Sequence, residues 1–244
     1  MIRLTDLSKS YGPVQAVNRI NLSVISGEIF GFIGPNGAGK TTTIQMMSGL
    51  LTPTSGSVSI CGIDMADKPE DAKMKIGLIP DRPYLYEKLT GMEFLKFTAD
   101  LFCVGPEIFS RKAESLLKKF SLIDRSNELI EAYSHGMKQR LVMAAAILHD
   151  PPLIIVDEPM VGLDPSGIKM VRDLFRNLAA AGKTIFMSTH TLKLAEEVCT
   201  RIGIINKGVL IATGSMADLK QAVSLGEADL EQVFFQLTDE ERTL

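Results

Sequence analysis

The sequence has no tryptophan, three cysteines and no long uncharged apolar stretch among its 244 residues. A helix that crosses a bilayer needs about 20 consecutive apolar residues, so the sequence predicts no membrane span. The cysteines are odd in number and lack C-x-x-C spacing, which argues against both a disulfide framework and a zinc site. The first residues lack the apolar segment of a signal peptide, and we therefore expect the product to stay in the cytosol.

An excess of positive charge is also missing. The net charge of −3 gives the chain no general attraction for nucleic acid, so we expect no nucleic-acid partner. Hydrophobic residues make up 45% of the sequence and charged residues 23%. This balance is typical of a globular domain with a buried core and excludes an intrinsically disordered chain.

Four short apolar runs indicate an α/β domain. They are continuous rather than alternating, which is typical of strands buried on both faces of a mostly parallel sheet. The runs lie at 28–33, 153–156, 184–187 and 202–205. Alternating apolar residues between 2 and 24 predict an antiparallel β edge, and the pattern over 41–51 predicts a helix.

The middle of the chain has a helical pattern. From about residue 83 to residue 149 we predict a helical lobe inserted into the α/β core. The main domain is predicted to span 1–215, followed by a short C-terminal helical extension at 216–244. Its apolar residues follow the i, i+3, i+4, i+7 spacing of an amphipathic helix: Leu230, Val233, Phe234 and Leu237. Such a helix packs on its own core or binds a partner, and we favour its own core.

A glycine-rich turn follows the first apolar run and matches the P-loop pattern G-x-x-x-x-G-K-[ST]. Glycine permits the tight backbone that turns successive N–H groups toward an anion, and the next helix adds its positive end. Lys40 is predicted to reach the β- and γ-phosphates, and the Thr41 hydroxyl to bind Mg²⁺. The predicted nucleotide-binding residues here are Gly34, Pro35, Asn36, Gly37, Ala38, Gly39, Lys40, Thr41 and Thr42.

Two acidic residues end the second apolar run. Carboxylates at the carboxyl end of a parallel strand lie in the crevice where α/β sheets bind ligands. Asp157 is predicted to hold Mg²⁺, usually through water, and Glu158 to accept a proton from the attacking water. An acid pair that ends a strand is more often a solvated turn, so this prediction depends on the P-loop beside it.

The stretch from Tyr133 to Arg140, YSHGMKQR, resembles the signature sequence of ABC transporter ATPases, whose usual form is LSGGQ followed by a helix that contains QR. Further motifs are similar to that family in the same order over residues 1–215. They are Tyr11-Gly12 for the A-loop, Pro80-Asp81 for the Q-loop, Gly162-Leu163-Asp164-Pro165 for the D-loop and Ser188-Thr189-His190 for the H-loop.

The resemblance implies a P-loop NTPase of the ABC cassette fold that hydrolyses ATP with Mg²⁺. It implies a dimer with a second copy or a paralogue, in which the signature residues Ser134, His135, Gly136 and Met137 act in trans on the partner's nucleotide. Tyr11 would stack on adenine, and Lys40, Glu158 and His190 would be catalytic. Membrane-spanning transporter subunits would be the other partners, and the chain would lie peripherally on the cytoplasmic face of the inner membrane.

This sequence departs from the family at His135, Met137 and Asp81, where Gly, Gln and Gln are usual. Asp81 is either a Mg²⁺ ligand or an acid on a surface loop. Ser134 is either a phosphate donor or the N-cap of its own helix, and Tyr11 either an adenine platform or a hairpin tyrosine. The departures and the Leu-Glu-x-Val-Phe tail resemble exporter-type, multidrug-like ABC systems.

Two other classes of protein and a degenerate, regulatory cassette compete with an active transporter ATPase, and the presence of Lys40, Asp157, Glu158 and His190 argues against the degenerate cassette. A soluble ABC ATPase of translation or repair typically carries two cassettes or long coiled coils, and this chain has neither pattern. A small-molecule kinase with a P-loop has no use for the stretch 134–140. We also predict that the segment 81–89, with Tyr84, Leu85, Tyr86 and Leu89, lines a groove for a helix of the membrane subunit. The alternative is that these side chains cover the core.

Overall fold

The computed structural model describes residues 1–82, 84–160, 163–222 and 230–239. Within these ranges the strands are β1 (Ile2–Tyr11), β2 (Val14–Val24), β3 (Ile29–Ile33), β4 (Ser55–Ile60), β5 (Ile63–Asp64), β6 (Ile76–Ile79), β7 (Leu153–Asp157), β8 (Thr184–Thr189), β9 (Arg201–Asn206) and β10 (Val209–Gly214). The helices are α1 (Lys40–Met47), α2 (Pro69–Lys73), α3 (Gly91–Leu101), α4 (Pro106–Lys119), α5 (His135–Leu148), α6 (Pro165–Ala180), α7 (Leu192–Val198), α8 (Met216–Ala222) and α9 (Leu230–Asp239).

A six-stranded sheet forms the centre of the fold, with strand order β10-β9-β3-β8-β7-β6. Strands β9 to β6 in this order are parallel, and β10 pairs with β9 in the antiparallel direction. Ile33 lies opposite Thr189, and Asp157 lies opposite Ser188. The carboxyl ends of β3, β7 and β8 therefore meet at one edge, which brings the segments that follow them together.

A second sheet is antiparallel, with order β2-β1-β4-β5. Its inward side chains, such as Leu7 and Ile20, share a core with Phe30 and Phe186 of the central sheet. Helix α1 contributes Met47 to the same core. The predicted α/β class with a mostly parallel sheet and an antiparallel β edge is confirmed.

The helices α3, α4 and α5 lie between strands β6 and β7 along the chain. Their apolar faces, with Phe120 and Leu141 fully buried, form one core with residues of α6 and of the central sheet. Near the end of the chain, Leu230 and Val233 of α9 are buried in a third cluster that also contains Ile202. Helix α9 thus packs on the chain's own core, although Phe235 stays exposed.

The first helix is shorter than the sequence pattern predicts. It ends at Met47, whereas the prediction was a helix over 41–51. The cause is Gly49, whose φ of +67° is left-handed and stops the helical hydrogen bonding. The N–H groups of Leu50 and Leu51 instead donate to the carbonyl of Gln45 at 2.9 and 3.1 Å.

Candidate nucleotide site

The P-loop joins the end of β3 to the start of α1 at the carboxyl edge of the central sheet. Two of its glycines are required by close contacts. A Cβ on Gly34 would lie 2.3 Å from the carbonyl oxygen of Ile205, and a Cβ on Gly39 would lie 2.5 Å from that of Ala16. Gly39 also has a φ of +105°, which side chains rarely adopt. The loop can therefore present its N–H groups only with glycine at these positions.

Lys40 is buried at the first turn of α1. Its Nζ donates to the carbonyl oxygens of Gly34 at 2.8 Å and Pro35 at 3.2 Å, and lies 4.0 Å from Oε1 of Glu158. Burial lowers the pKa of Lys40, and the charges of Glu158 and Asp157 oppose this shift. The ammonium group is thus partly desolvated, which strengthens its attraction to a phosphate placed in the loop.

Glu158 follows β7 with a φ of +50°. Its N–H donates to the carbonyl of Ser188 at 3.1 Å, which holds this unfavourable backbone conformation against strand β8. The turn directs the side chain toward His190, whose Nδ1 lies 2.9 Å from Oε1 of Glu158. The backbone N–H of His190 also donates to Oε2 at 3.4 Å. Lys40, Glu158 and His190, predicted from separate motifs, are therefore neighbours.

The residues predicted to hold a metal ion line one cavity of about 280 Å³. Thr41, Asp81 and Asp157 are all part of its wall. Asp157 is buried and accepts a hydrogen bond from the hydroxyl of Ser188, which fixes one of its carboxylate oxygens. Among the described residues there is no cluster of three or more His, Cys, Asp or Glu side chains that could bind a metal by themselves. A hard cation here would need the Thr41 hydroxyl and phosphate oxygens as further ligands.

Ser188 is a site residue to which sequence reasoning assigned no role. The feature that reveals its role is the register of the sheet, because Ser188 lies directly opposite Asp157 on the neighbouring parallel strand. That register cannot be read from either strand alone. The contact shows that the end of β8 supports the acid at the end of β7 as well as carrying His190.

Tyr11 ends β1 and is 48% exposed. The Nζ of Lys9 lies 5.4 Å from the centroid of its ring. Gly12 follows with a φ of +57° and turns the chain into β2. The ring is thus accessible for stacking on a flat ligand, and it is also part of the hairpin between β1 and β2.

The signature residues begin helix α5. The Ser134 hydroxyl caps this helix by accepting a hydrogen bond from the N–H of Met137 at 3.3 Å, and both Ser134 and His135 are exposed. In the described part of the chain, no hydrogen bond or ion pair joins residues 134–137 to the P-loop. Ser134 and His135 therefore face solvent in one subunit, whereas Met137 packs against the core that α5 shares with the central sheet.

Asp164 starts helix α6 as its N-cap. Its carboxylate accepts hydrogen bonds from the N–H of Gly167 at 2.9 Å and from the hydroxyl of Ser166 at 2.8 Å. These bonds, with a smaller contribution from Arg140, lower the pKa of Asp164. Gly162, the first residue of the predicted D-loop, lies outside the described residues.

The segment 81–89 divides between the surface and the core. Tyr84 and Tyr86 are 85% and 52% exposed and line a largely apolar cavity of about 390 Å³, whose wall includes Phe97. Leu85 and Leu89 instead pack against the core beneath α3 and α5. The prediction that all four large side chains line the groove is therefore wrong for the two leucines, because the chain turns their shorter side chains inward.

Comparisons with known proteins identify the family of the chain. The family described as ABC transporter matches residues 17–161. The bacitracin transport ATP-binding protein BcrA of Bacillus licheniformis is 38% identical over 245 residues, which cover 100% of this chain and 77% of BcrA. The solved structure of an ATP-binding subunit of an ABC transporter superposes with a TM-score of 0.93 at 35% identity and covers 97% of this chain and 99% of that one. A dimeric ATP-binding cassette bound to ADP and Pi in a post-hydrolysis state has a TM-score of 0.80 at 26% identity and covers 88% of this chain and 99% of that one.

Fold and site together define a P-loop ATPase, and the chain belongs to the ABC transporter family. Within this family it is an ATP-binding and ATP-hydrolysing subunit, one of the ATPase cassettes that act as dimers with membrane transporter subunits. The competing interpretations, a translation or repair ATPase and a small-molecule kinase, are therefore set aside. No helix in the described ranges is long and apolar enough to cross a membrane.

Proposed function

We propose that this chain hydrolyses Mg²⁺-ATP in a site completed by a second ATPase subunit and thereby powers an exporter. The observation that carries the proposal is the position of Glu158, 2.9 Å from His190 and 4.0 Å from Lys40 at the edge of the sheet where the P-loop lies. A carboxylate, a phosphate-binding cation and a hydrogen-bond donor are the groups that in-line attack of water on a γ-phosphate requires.

Each residue has one role in the proposed reaction. The P-loop N–H groups and Lys40 hold the phosphates, and Glu158 takes a proton from the attacking water. His190 keeps Glu158 oriented through the contact at Nδ1, and with both ring nitrogens protonated it can also donate from Nε2 to the γ-phosphate. Thr41, Asp157 and Asp81 are the candidates to hold Mg²⁺, which would supply positive charge to the phosphates.

The second subunit is proposed because Ser134 and His135 are exposed, and no hydrogen bond or ion pair among the described residues joins the signature to its own P-loop. Ser134 and Gly136 lie at the positive end of α5, where a hydroxyl and N–H groups favour an anion. A partner subunit, identical or a paralogue, would place its nucleotide there. The dimeric cassette bound to ADP and Pi supports this arrangement, since it is similar in fold to this chain.

The groove lined by Tyr84 and Tyr86 is proposed to receive a cytoplasmic helix of the membrane subunit. Its wall is mostly apolar, and exposed tyrosines with an apolar ring and a polar tip suit a partly wet interface. Export is the favoured direction because of the departures at His135, Met137 and Asp81 and the similarity to BcrA, which is named for bacitracin transport. The chain would then lie peripherally on the cytoplasmic face of the membrane.

The role of the metal can be tested with the purified chain. ATP turnover should require Mg²⁺ and fall to background in excess chelator, and Asp157→Asn should raise the Mg²⁺ concentration for half-maximal activity. Phe97→Leu, at the groove and away from the metal residues, serves as the control and should keep the wild-type Mg²⁺ dependence. Turnover that persists in chelator would contradict the proposal.

A further inference from the structure

A cavity of about 410 Å³ lies where the helical lobe meets the α/β core. It shares no residue with the nucleotide site or with the groove of Tyr84 and Tyr86. Its volume is within the range of about 300–1,000 Å³ that is typical of small-molecule sites. Helices α4, α5 and α6 and strand β7 contribute the apolar part of the wall, which consists of Ile108, Leu116, Ile147, Pro151, Ile154 and Leu178.

Three cations and one acid line the same cavity. The cations are Arg111, Lys112 and Lys183, and the acid is Asp150. The charge beside the apolar wall is therefore positive, although the whole chain has a net charge of −3. Ile154 at the wall is buried, whereas Ile108 is 44% exposed, so the apolar surface extends from the core to the opening. Such a cavity is complementary to a ligand with an apolar body and an anionic head.

The two lysines are held in place by the end of α5. Nζ of Lys112 donates to the carbonyl oxygen of Leu148 at 3.2 Å. Nζ of Lys183 donates to the carbonyl oxygen of Asp150 at 3.0 Å and lies 2.9 Å from its Oδ1. An ammonium group has three N–H donors, so Lys112 retains two and Lys183 retains one for a further acceptor. Because both cations are already positioned, a ligand would lose less free energy in ordering them.

Arg111 has no comparable structural contact. It is exposed on α4, and none of its hydrogen bonds or ion pairs lies within the described ranges. Glu114, one turn further along α4, instead accepts a hydrogen bond from Lys118. A guanidinium group can donate two parallel N–H groups to one carboxylate. Arg111 is therefore the cation at this cavity that is best suited to a carboxylate ligand.

We propose that this cavity binds an amphiphilic carboxylate, with its head at Arg111 and Lys112 and its apolar tail along Ile108 and Leu116. The inference does not depend on ATP hydrolysis, because none of these residues belongs to the nucleotide site. The bound molecule would contact the helical lobe and the α/β core at once. Binding to this junction in the folded chain would raise its stability.

The test uses decanoate, titrated into the full chain by calorimetry below its micelle concentration. We expect saturable binding of one decanoate per chain and a higher melting temperature. Decanol, which has the same tail without the charge, should bind at least 5-fold more weakly. Arg111→Gln and Lys112→Gln should each weaken decanoate binding about 5- to 20-fold, because each removes a charge-assisted hydrogen bond at a partly exposed site. Neither change should affect the affinity for decanol.

Lys118→Gln is the matched control, since it removes an exposed cation of α4 that does not line the cavity, and it should keep the wild-type affinity. Tyr84→Ala with Tyr86→Ala tests the other apolar groove and should also bind decanoate as the wild type does. Lys112→Gln loses its contact with Leu148, so its melting temperature is measured without ligand. Arg111→Gln loses no such contact and provides the test even if Lys112→Gln does not fold.

Three results would overturn the inference. They are decanoate binding that does not saturate at one molecule per chain, a wild-type affinity in Arg111→Gln, and weaker binding caused by the tyrosine variant instead. A chain that binds decanoate as expected but does not turn over ATP with Mg²⁺ would contradict the proposed function and leave this inference supported.

Discussion

Glu158 leaves strand β7 with a left-handed backbone, which costs a residue with a side chain about 1–2 kcal/mol. The hydrogen bond from its N–H to Ser188 and the contact with His190 maintain this conformation. If residue 158 had the regular extended backbone of a strand, the alternation of side chains would turn its carboxylate to the opposite face of the sheet, away from the P-loop edge. The strain is therefore located at the residue that we propose accepts the proton of the attacking water.

The role of Glu158 can be tested by Glu158→Gln, which keeps the shape of the side chain and removes the proton acceptor. We expect ATP turnover to fall ~10²–10⁴-fold while ATP binding, measured by fluorescence titration, stays within a few-fold of wild type. Glu196→Gln, a change at an exposed residue of α7, is the control and should keep full turnover. Wild-type hydrolysis by Glu158→Gln would rule out the proposed role.

His149 offers a test at a residue away from the chemistry. Its ring stacks on Phe102 with centroids 3.7 Å apart, and Nε2 lies 3.1 Å from the carbonyl oxygen of Ile76. Burial lowers the pKa of His149 to about 4. Because the unfolded state binds the proton more readily, the folded state loses stability as the pH falls from about 6.5 toward 4.

The expected loss from His149 is on the order of 1–2 kcal/mol after allowing for its partial exposure. His149→Phe keeps an aromatic ring on Phe102 and removes the titration. Its free energy of unfolding, measured with urea at pH 7 and pH 4.5, should fall less than that of the wild type. An identical pH dependence in the two proteins would show that His149 is not buried in its neutral form.

At the scale of the elements, the exposed tyrosines allow docking of the membrane subunit to be tested separately from the stability of the fold. Tyr84→Ala combined with Tyr86→Ala should leave ATP turnover and melting temperature close to wild type, because both side chains are more than half exposed. The same variant should no longer co-purify with the membrane subunit. Leu85→Ala is the contrasting variant and should lower the melting temperature, since Leu85 packs against the core. A double tyrosine variant that retains the membrane subunit would place the docking surface elsewhere.

Much of the element order follows from local sequence. The continuous apolar runs at 153–156 and 184–187 predict β7 and β8 because both faces of these strands are buried. The end of α1 was missed because Gly49 also packs against Lys73 and Met65, which are distant in sequence. The inward position of Leu85 likewise depends on the helices around it rather than on the segment itself.

The candidate site likewise combines features that local sequence predicts with contacts that depend on tertiary structure. Its P-loop and acid pair are contiguous in sequence, so their residue types and spacing reveal them. The bond from Ser188 to Asp157 requires the order of the strands, and the contact between Arg140 and Asp164 requires the packing of two helices. Sequence patterns therefore predict which residues do the chemistry, whereas the contacts that orient those residues come from tertiary structure.

For the whole molecule, one subunit provides only half of the proposed contacts to each nucleotide. Lys40, Glu158 and His190 come together within the chain, whereas Ser134 stays exposed at the start of α5. In the proposed function, hydrolysis is tied to the association of two ATPase subunits, and this association would move membrane subunits docked in the proposed grooves.

The most direct test of this shared site is Ser134→Arg, measured for ATP binding, ATP-dependent dimerisation and turnover. The added cation should block closure against the partner's nucleotide, so dimerisation and turnover should be lost while the separate subunit binds ATP as before. Gly105→Arg adds the same side chain at the exposed N-cap of α4, where a Cβ meets nothing, and should keep all three activities. The account predicts that Ser134→Arg loses dimerisation and turnover but keeps ATP binding. Loss of ATP binding by the separate Ser134→Arg subunit would contradict it.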